Sequence, residues 1–139
     1  MRTALGFAVA AFAGSAPAAA EPVAVRLIWD GDDTVGGIVV NGVKSLIAAS
    51  ADKRETGKAE PGVAVLIQTM DPARQWSEGG TKPRMTVYAL VINRRPPPEG
   101  GPDVFGTAVL GHCAFAEVKS CSAEIVAEID EEIARRGLK

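Results

Sequence analysis

The fold is decided by residues 23–47, VAVRLIWDGDDTVGGIVVNGVKSLI, where the spacing of the apolar residues changes part-way along. Residues 23–29 place apolar side chains at alternate positions, which is the period-two pattern of a β-strand. From Val35 onward the apolar residues recur every three or four positions and form one stripe. That stripe predicts an amphipathic helix ending near Ala49, covering one face of a sheet.

Working outward, the sequence predicts three further strands and a closing helix. Residues 63–69 are apolar on both sides, which indicates a strand covered on both faces or buried at the centre of the sheet. Alternating patterns at 84–93 and 104–111 predict the next two strands. The second helix is expected from a Ser120 cap to about Arg136, with a buried stripe made of Ile125, Val126, Ile129 and Ile133.

This order, β-α-β-β-β-α, predicts an α+β domain of two layers. We expect a four-stranded mixed sheet with both helices on one face. The first strand–helix–strand unit should pair its strands in parallel, and the later strands, joined by shorter connections, should be antiparallel neighbours. The polar residues 52–62 are expected to form a loop or a short edge element.

Residues 1–20 have the pattern of a secretory signal peptide. Arg2 supplies a positive start, an uncharged apolar run follows, and small alanines precede the expected cleavage between Ala20 and Glu21. Cleavage after Ala18 is an alternative. A membrane anchor is disfavoured because the run is about half of the roughly 20 residues that a spanning helix needs. We therefore expect an exported protein whose mature part, residues 21–139, forms one domain; the Ala-, Gly- and Pro-rich composition indicates a bacterial periplasm.

The charge pattern argues against a nucleic-acid partner. The 139 residues carry 15 Lys and Arg against 17 Asp and Glu, a formal net charge of −2, and only 5% are aromatic. Phosphate binding needs clustered basic side chains, and the sequence has no basic stripe. Arg94 and Arg95 form one short basic pair, either solvating a loop or forming part of a contact surface.

Cys113 and Cys121 are the only cysteines in the sequence. If the protein is exported, an oxidising compartment favours a disulfide between them. The bond would close a loop of nine residues and stabilise the fold by about 2–3 kcal/mol. A redox or metal site is the alternative, with His112 as a third ligand, but the spacing is not C-x-x-C and a fourth ligand is missing. We expect no cofactor and no metal.

Asp30, Asp32 and Asp33 form the densest acidic group. A calcium loop counted from Asp30 fails because Asn41 stands where a closing Glu is required. Capping of the first helix, by Asp32, Asp33 or Thr34, explains the group better. A hydrolase that uses these carboxylates with the single histidine is the alternative. We assign no catalytic residue, so an enzyme is the less favoured class.

Two connections carry candidate contact residues. Trp76 lies within a Gly-rich polar loop, where an aromatic side chain is suited to anchor an interface. Residues 94–103 begin with Arg94 and Arg95 and contain three consecutive prolines, which predicts a stiff, exposed connection. An exposed sheet edge is a third candidate, because it can accept an added strand.

Residues 33–39, DTVGGIV, resemble the start of the first helix in the TolB amino-terminal domain family, and the order of the following strands and closing helix is similar. The resemblance implies a small periplasmic α/β module, a non-catalytic adaptor that binds another envelope protein. The stretch 50–61 is shorter than the elements found there in that family, and the cysteine pair is not part of its pattern. No functional residue is therefore carried over. A small-ligand sensor with a pocket between helix and sheet is a further alternative.

Overall fold

The computed structural model describes residues 20–75, 84–96 and 102–138. Its strands and helices, in chain order, are β1 (Val23–Asp30), α1 (Thr34–Ala48), β2 (Lys53–Glu55), β3 (Gly62–Met70), β4 (Met85–Arg95), β5 (Val104–Ala114) and α2 (Val118–Arg135). Short 3-10 turns follow β3 and β5, at Pro72–Gln75 and Phe115–Glu117. The predicted signal peptide lies outside the described residues up to position 19; Ala20 and Glu21, the expected cleavage pair, are exposed.

The described strands form one mixed sheet in the order β2-β1-β3-β4-β5. β1 is parallel to both β2 and β3, whereas β3, β4 and β5 are successive antiparallel neighbours. The α+β class, the parallel first unit, the antiparallel later strands and the central place of residues 63–69 are therefore confirmed. Both helices pack on one face of the sheet, against a common apolar core.

The prediction of four strands was wrong, because β2 is a fifth strand and the element order is β-α-β-β-β-β-α. Its three residues are all charged, so no apolar alternation marks them as a strand. Backbone bonds hold it instead: the Val23 N–H donates to the Asp52 carbonyl and the Thr56 N–H to the Val25 carbonyl, both at 2.9 Å. Lys53 is buried, and its ammonium group reaches Asp130 of α2 at 2.6 Å.

Helix α1 begins as the sequence predicts. Asp33 is its N-cap and accepts a hydrogen bond from the Gly36 N–H at 2.6 Å. Most residues of the apolar stripe are buried, and two are exposed, Ile38 and Leu46. A glycine within the stripe sets the distance to the other helix. A Cβ built on Gly42 would lie 2.3 Å from the Ser122 hydroxyl oxygen, so the missing side chain is what lets α1 and α2 touch. Ser122 donates across this contact to the Val39 carbonyl at 3.0 Å.

Helix α2 ends close to where the sequence predicts but starts earlier. It begins at Val118, directly after the 3-10 turn, so Ser120 is inside the helix and does not cap it. Glu132, in its last turn, is only 1% exposed. Its carboxylate is held by Arg135 at 3.0 Å and Arg136 at 2.9 Å. Gly106 of β5 leaves room for this carboxylate, because a Cβ at position 106 would stand 2.6 Å from a carboxylate oxygen of Glu132.

The opposite face of the sheet is not covered by any described helix or strand. Alternate residues of each strand point to this face, and many are apolar: Ile28, Leu66, Met70, Val87, Ala89, Val91 and Leu110. Exposure is highest on the outer strand, where Leu110 is 85% exposed, whereas Ala89 beside it is half-buried. Within the described residues, no helix is both long and apolar enough to cross a lipid bilayer.

Candidate binding edge at strand β5

Strand β5 is the long outer edge of the sheet. It runs for eleven residues and pairs with β4 on one side, with no described strand on the other. Its exposed apolar side chains include Phe105, 63% exposed, and Leu110. An edge of this length presents a row of backbone N–H and C=O groups to which another chain can bond.

The antiparallel pairing shows which backbone groups are free. The Phe115 N–H donates to the Arg84 carbonyl at 2.8 Å, so residue 115 points its backbone toward β4. Inward and outward positions alternate along an antiparallel strand. From Thr107 onward, past the bulge where the register with β4 shifts, the outward positions of β5 are therefore Ala108, Leu110 and His112. Their N–H and C=O groups face away from the sheet.

On the open face, Leu110 borders an apolar depression of about 400 Å³. Met70, Val87 and Ala89 line it from the neighbouring strands. Leu110 lies directly beside Ala89 in the register of β4 and β5. The small alanine leaves room next to a large exposed leucine, so this face can receive further apolar side chains.

On the helix side, a second cavity of about 470 Å³ lies between β5 and α2. Its walls include Val109, Tyr88 and two acidic residues of α2, Glu124 and Glu128. The Tyr88 ring lies over Gly111, where a Cβ would stand 2.4 Å from the ring carbon Cζ. Burial raises the pKa of the Tyr88 hydroxyl, and the charges of the two glutamates raise it further.

The disulfide fixes β5 to the helix that forms this cavity. Cys113, near the end of β5, is bonded to Cys121, in the first turn of α2, with the two Cα atoms 6.1 Å apart. Both residues are buried. The predicted pair is confirmed, and it holds the edge strand and the acidic helix in a fixed relation. Among the described residues there is no group of three side chains placed to hold a metal ion.

The basic pair at the end of β4 is not a free contact surface. Arg95 forms a two-point ion pair with Asp103, at 2.6 and 3.0 Å. Arg94 is half-buried, and its Nε has no hydrogen-bond partner among the described residues. The third predicted contact residue, Trp76, lies outside the described residues. The pairing of Arg95 was missed because a basic doublet in sequence does not show a carboxylate eight positions further on.

The acidic group and the single histidine are not brought together. Asp33 caps α1, and the Asp30 carboxylate accepts a hydrogen bond from the Gln68 side chain at 3.2 Å. His112 lies on β5, three strands away from β1 in the sheet. At the usual strand spacing this is about 14 Å, which is too far for a nucleophile–base pair. The described geometry therefore gives no support to a hydrolase built on these residues.

Two comparisons with other proteins give no relative. No known family model matches the chain, and a search of characterised proteins finds no significant match.

Proposed function

We propose that this chain is a non-catalytic binding module of the bacterial cell envelope, exported to the periplasm, that accepts an extended segment of another envelope protein along β5. Strand addition of this kind supplies affinity through backbone hydrogen bonds and specificity through alternate side-chain positions. The observation that carries the proposal is the outer edge of β5, with outward backbone groups at Ala108, Leu110 and His112 beside exposed apolar side chains.

The contrast between the two sheet edges supports this function. Proteins protect edge strands by shortening them and by placing charges on them, because a bare edge invites pairing with other chains. β2 follows that rule, with three charged residues. β5 does not, since it is long and carries Leu110 at 85% exposure. A bare apolar edge that is kept in a folded protein is best explained by a partner that covers it.

Two further observations fit the same proposal. The disulfide between Cys113 and Cys121 is compatible with an oxidising compartment such as the periplasm. The resemblance to TolB amino-terminal modules, also part of the proposal, implies the same adaptor role. Neither depends on the direction of the backbone groups of β5, so they are independent of the main argument.

Site-specific photo-crosslinking in the native host tests the proposal. A photoreactive residue in place of the exposed Ala108 should capture one envelope protein, whereas the same residue at exposed Lys44 on α1 should not. Adding Leu110→Pro should abolish the crosslink, because proline removes an outward N–H and fills the space that an added strand needs. Leu110→Ala keeps that N–H and should retain most of the crosslink.

Two results would contradict the proposal. A crosslink that survives Leu110→Pro in a folded protein would mean that the partner does not add a strand. Equal capture from Ala108 and Lys44 would mean that β5 is not the binding edge. Circular dichroism of each variant establishes that the fold is retained before either conclusion is drawn.

A small-ligand sensor is the second candidate, and the cavity of about 470 Å³ between β5 and α2 favours it. Its size is within the range of small-molecule sites. In a thermal-shift screen of small metabolites, a sensor should show a saturable rise in melting temperature with one compound class. Gly111→Ala, which pushes Tyr88 into the cavity, should remove that rise.

A further inference from the structure

A strand added to β5 would place its side chains in two different environments. Side chains directly opposite one another on paired strands share a face of the sheet. Partner residues opposite Ala108 and Leu110 would therefore lie on the open face, beside the apolar depression. Those opposite Val109 and Gly111 would lie on the helix side, at the mouth of the cavity lined by α2.

The helix side of this edge carries two acidic side chains. Glu124 and Glu128 stand one helical turn apart on α2 and both line the cavity. Neither forms an ion pair with any described residue, whereas Glu131 of the same helix is paired with Arg135 at 2.7 Å. Two like charges at this spacing disfavour the helix by a few tenths of a kcal/mol. A cation bound between them would remove that repulsion.

Tyr88 adds a polar group to the same cavity. Its side chain is only 9% exposed and borders the same cavity. In the part of the chain that the structure describes, its hydroxyl forms no hydrogen bond, and its oxygen is not fully enclosed by the protein. An ammonium or guanidinium group held by Glu124 and Glu128 would have a further acceptor in this hydroxyl oxygen.

Resting on the proposed function, we propose that the partner segment is an extended strand in which basic and aliphatic residues alternate. Its lysines or arginines would face Glu124, Glu128 and the Tyr88 hydroxyl on the helix side. Its aliphatic residues would cover Leu110 and Ala89 on the open face. Charge complementarity on one face and apolar contact on the other would together fix the register of the added strand.

A second copy of this chain cannot supply the basic residues that this edge would bind. β5 itself contains no lysine or arginine. Pairing two β5 edges would also bring two copies of α2, each carrying Glu124 and Glu128, toward the same seam. Like charges placed opposite one another are destabilising. The acidic helix thus selects a basic partner strand and disfavours self-association along this edge.

Peptide binding tests the inference. A capped ten-residue peptide of alternating lysine and valine should bind the full protein, with an affinity that falls as salt is raised; the alternating glutamate–valine peptide should not bind measurably. In the double variant Glu124→Gln/Glu128→Gln, the affinity for the lysine–valine peptide should drop about tenfold, corresponding to two partly exposed ion pairs. Glu55→Gln, which removes one charge at the β2 edge, should leave the affinity unchanged.

The outcomes separate the two proposals. If the lysine–valine peptide loses binding in Leu110→Pro but keeps full affinity in the double glutamine variant, strand addition stands and the basic pattern is wrong. The same conclusion follows if an uncharged serine–valine peptide binds equally well. If Leu110→Pro, still folded, binds the lysine–valine peptide normally, strand addition at β5 is itself wrong. Failure of the lysine–valine peptide to bind at millimolar concentration overturns the basic pattern.

Discussion

The two outer strands of the sheet, β2 and β5, differ in length, in charge and in the way they meet helix α2. β2 has three residues, and its Lys53 forms ion pairs with Asp52 at 3.0 Å and with Asp130 of α2 at 2.6 Å. β5 has eleven residues and faces two glutamates of the same helix that form no ion pair with a described residue. Helix α2 thus supplies the carboxylate that pairs with the lysine of one edge strand, and it presents two carboxylates beside the other edge strand.

Removing the disulfide, which fixes β5 to α2, should lower the stability of the protein more than any other change proposed below. In Cys113→Ser/Cys121→Ser the free energy of unfolding should fall by about 2–3 kcal/mol, because a nine-residue loop is no longer closed in the unfolded chain. Urea denaturation with and without a reducing agent measures the loss. The variant should show no further response to the reducing agent. A wild-type protein equally stable in both conditions would contradict the structural role of the bond.

Gly111→Ala should disturb the β5 edge by about 2 kcal/mol. The added methyl group would stand 2.4 Å from the Tyr88 ring, so the ring must move from its buried position. Thermal denaturation gives the loss of stability, and tyrosine fluorescence reports the displaced ring. Gly57→Ala is the matched control, because a Cβ there meets no atom within 4 Å. Similar losses in both variants would show that contact of the new methyl group with Tyr88 is not the cause.

Lys53→Met should weaken the β2 edge by about 1 kcal/mol. The aliphatic stem is nearly preserved, whereas the ion pairs with Asp52 and Asp130 are lost. Although burial lowers the pKa of Lys53, hydrogen bonds to Asp130 and Asp52 raise it above its usual value overall. Urea denaturation measures the change. Lys44→Met, where the contact to Glu55 is 3.9 Å and exposed, should change stability much less.

Acid should loosen β2 before it affects β5, and this is the smallest expected effect. A hydrogen bond from Ser50 and the contact with Lys53 lower the pKa of Asp52 from 3.8 to about 2. Arg54 similarly lowers the pKa of Glu60 from 4.5 to about 2. A carboxylate whose pKa is lower in the folded state than in the unfolded state stabilises the fold at pH values above its unfolded-state pKa. That stabilisation is lost as the pH falls from about 4.5 toward 2.

Amide hydrogen exchange compares the two edges directly over this pH range. The Thr56 N–H, bonded to Val25 beside β2, should lose protection as the carboxylates are protonated. The Phe115 N–H, bonded to Arg84 beside β5, should lose less, after correction for the intrinsic rate. Asp52→Asn/Glu60→Gln should remove the pH dependence at Thr56. Equal loss at both amides would indicate general unfolding instead.

Much of the fold could be predicted because its signals are local. The alternation at 23–29 and the stripe from Val35 are complete within one short stretch, and Asp33 caps the helix that immediately follows it. β2 could not be predicted in the same way. Lys53 is buried through an aspartate 77 positions away, and no pattern within three charged residues shows that contact.

The candidate site was predictable as a type of surface but not as a location. An exposed edge was expected, yet which strand forms it depends on the spatial order of the sheet. Two charged side chains have partners that no local pattern shows: Arg95 is paired with Asp103, and Glu132 is buried beside Gly106. The glutamates that matter, Glu124 and Glu128, resemble any exposed pair on a helix until β5 is placed beside them.

The bond between Cys113 and Cys121 has a consequence for how the protein would survive proteolysis. It spans the exposed 3-10 turn at Phe115–Glu117, which joins β5 to α2. A protease that cut this turn would leave both fragments covalently joined, so the nicked molecule would keep its intact mass apart from one added water. The cut would become visible as two fragments only after reduction, and α2 would stay in place on the sheet until then.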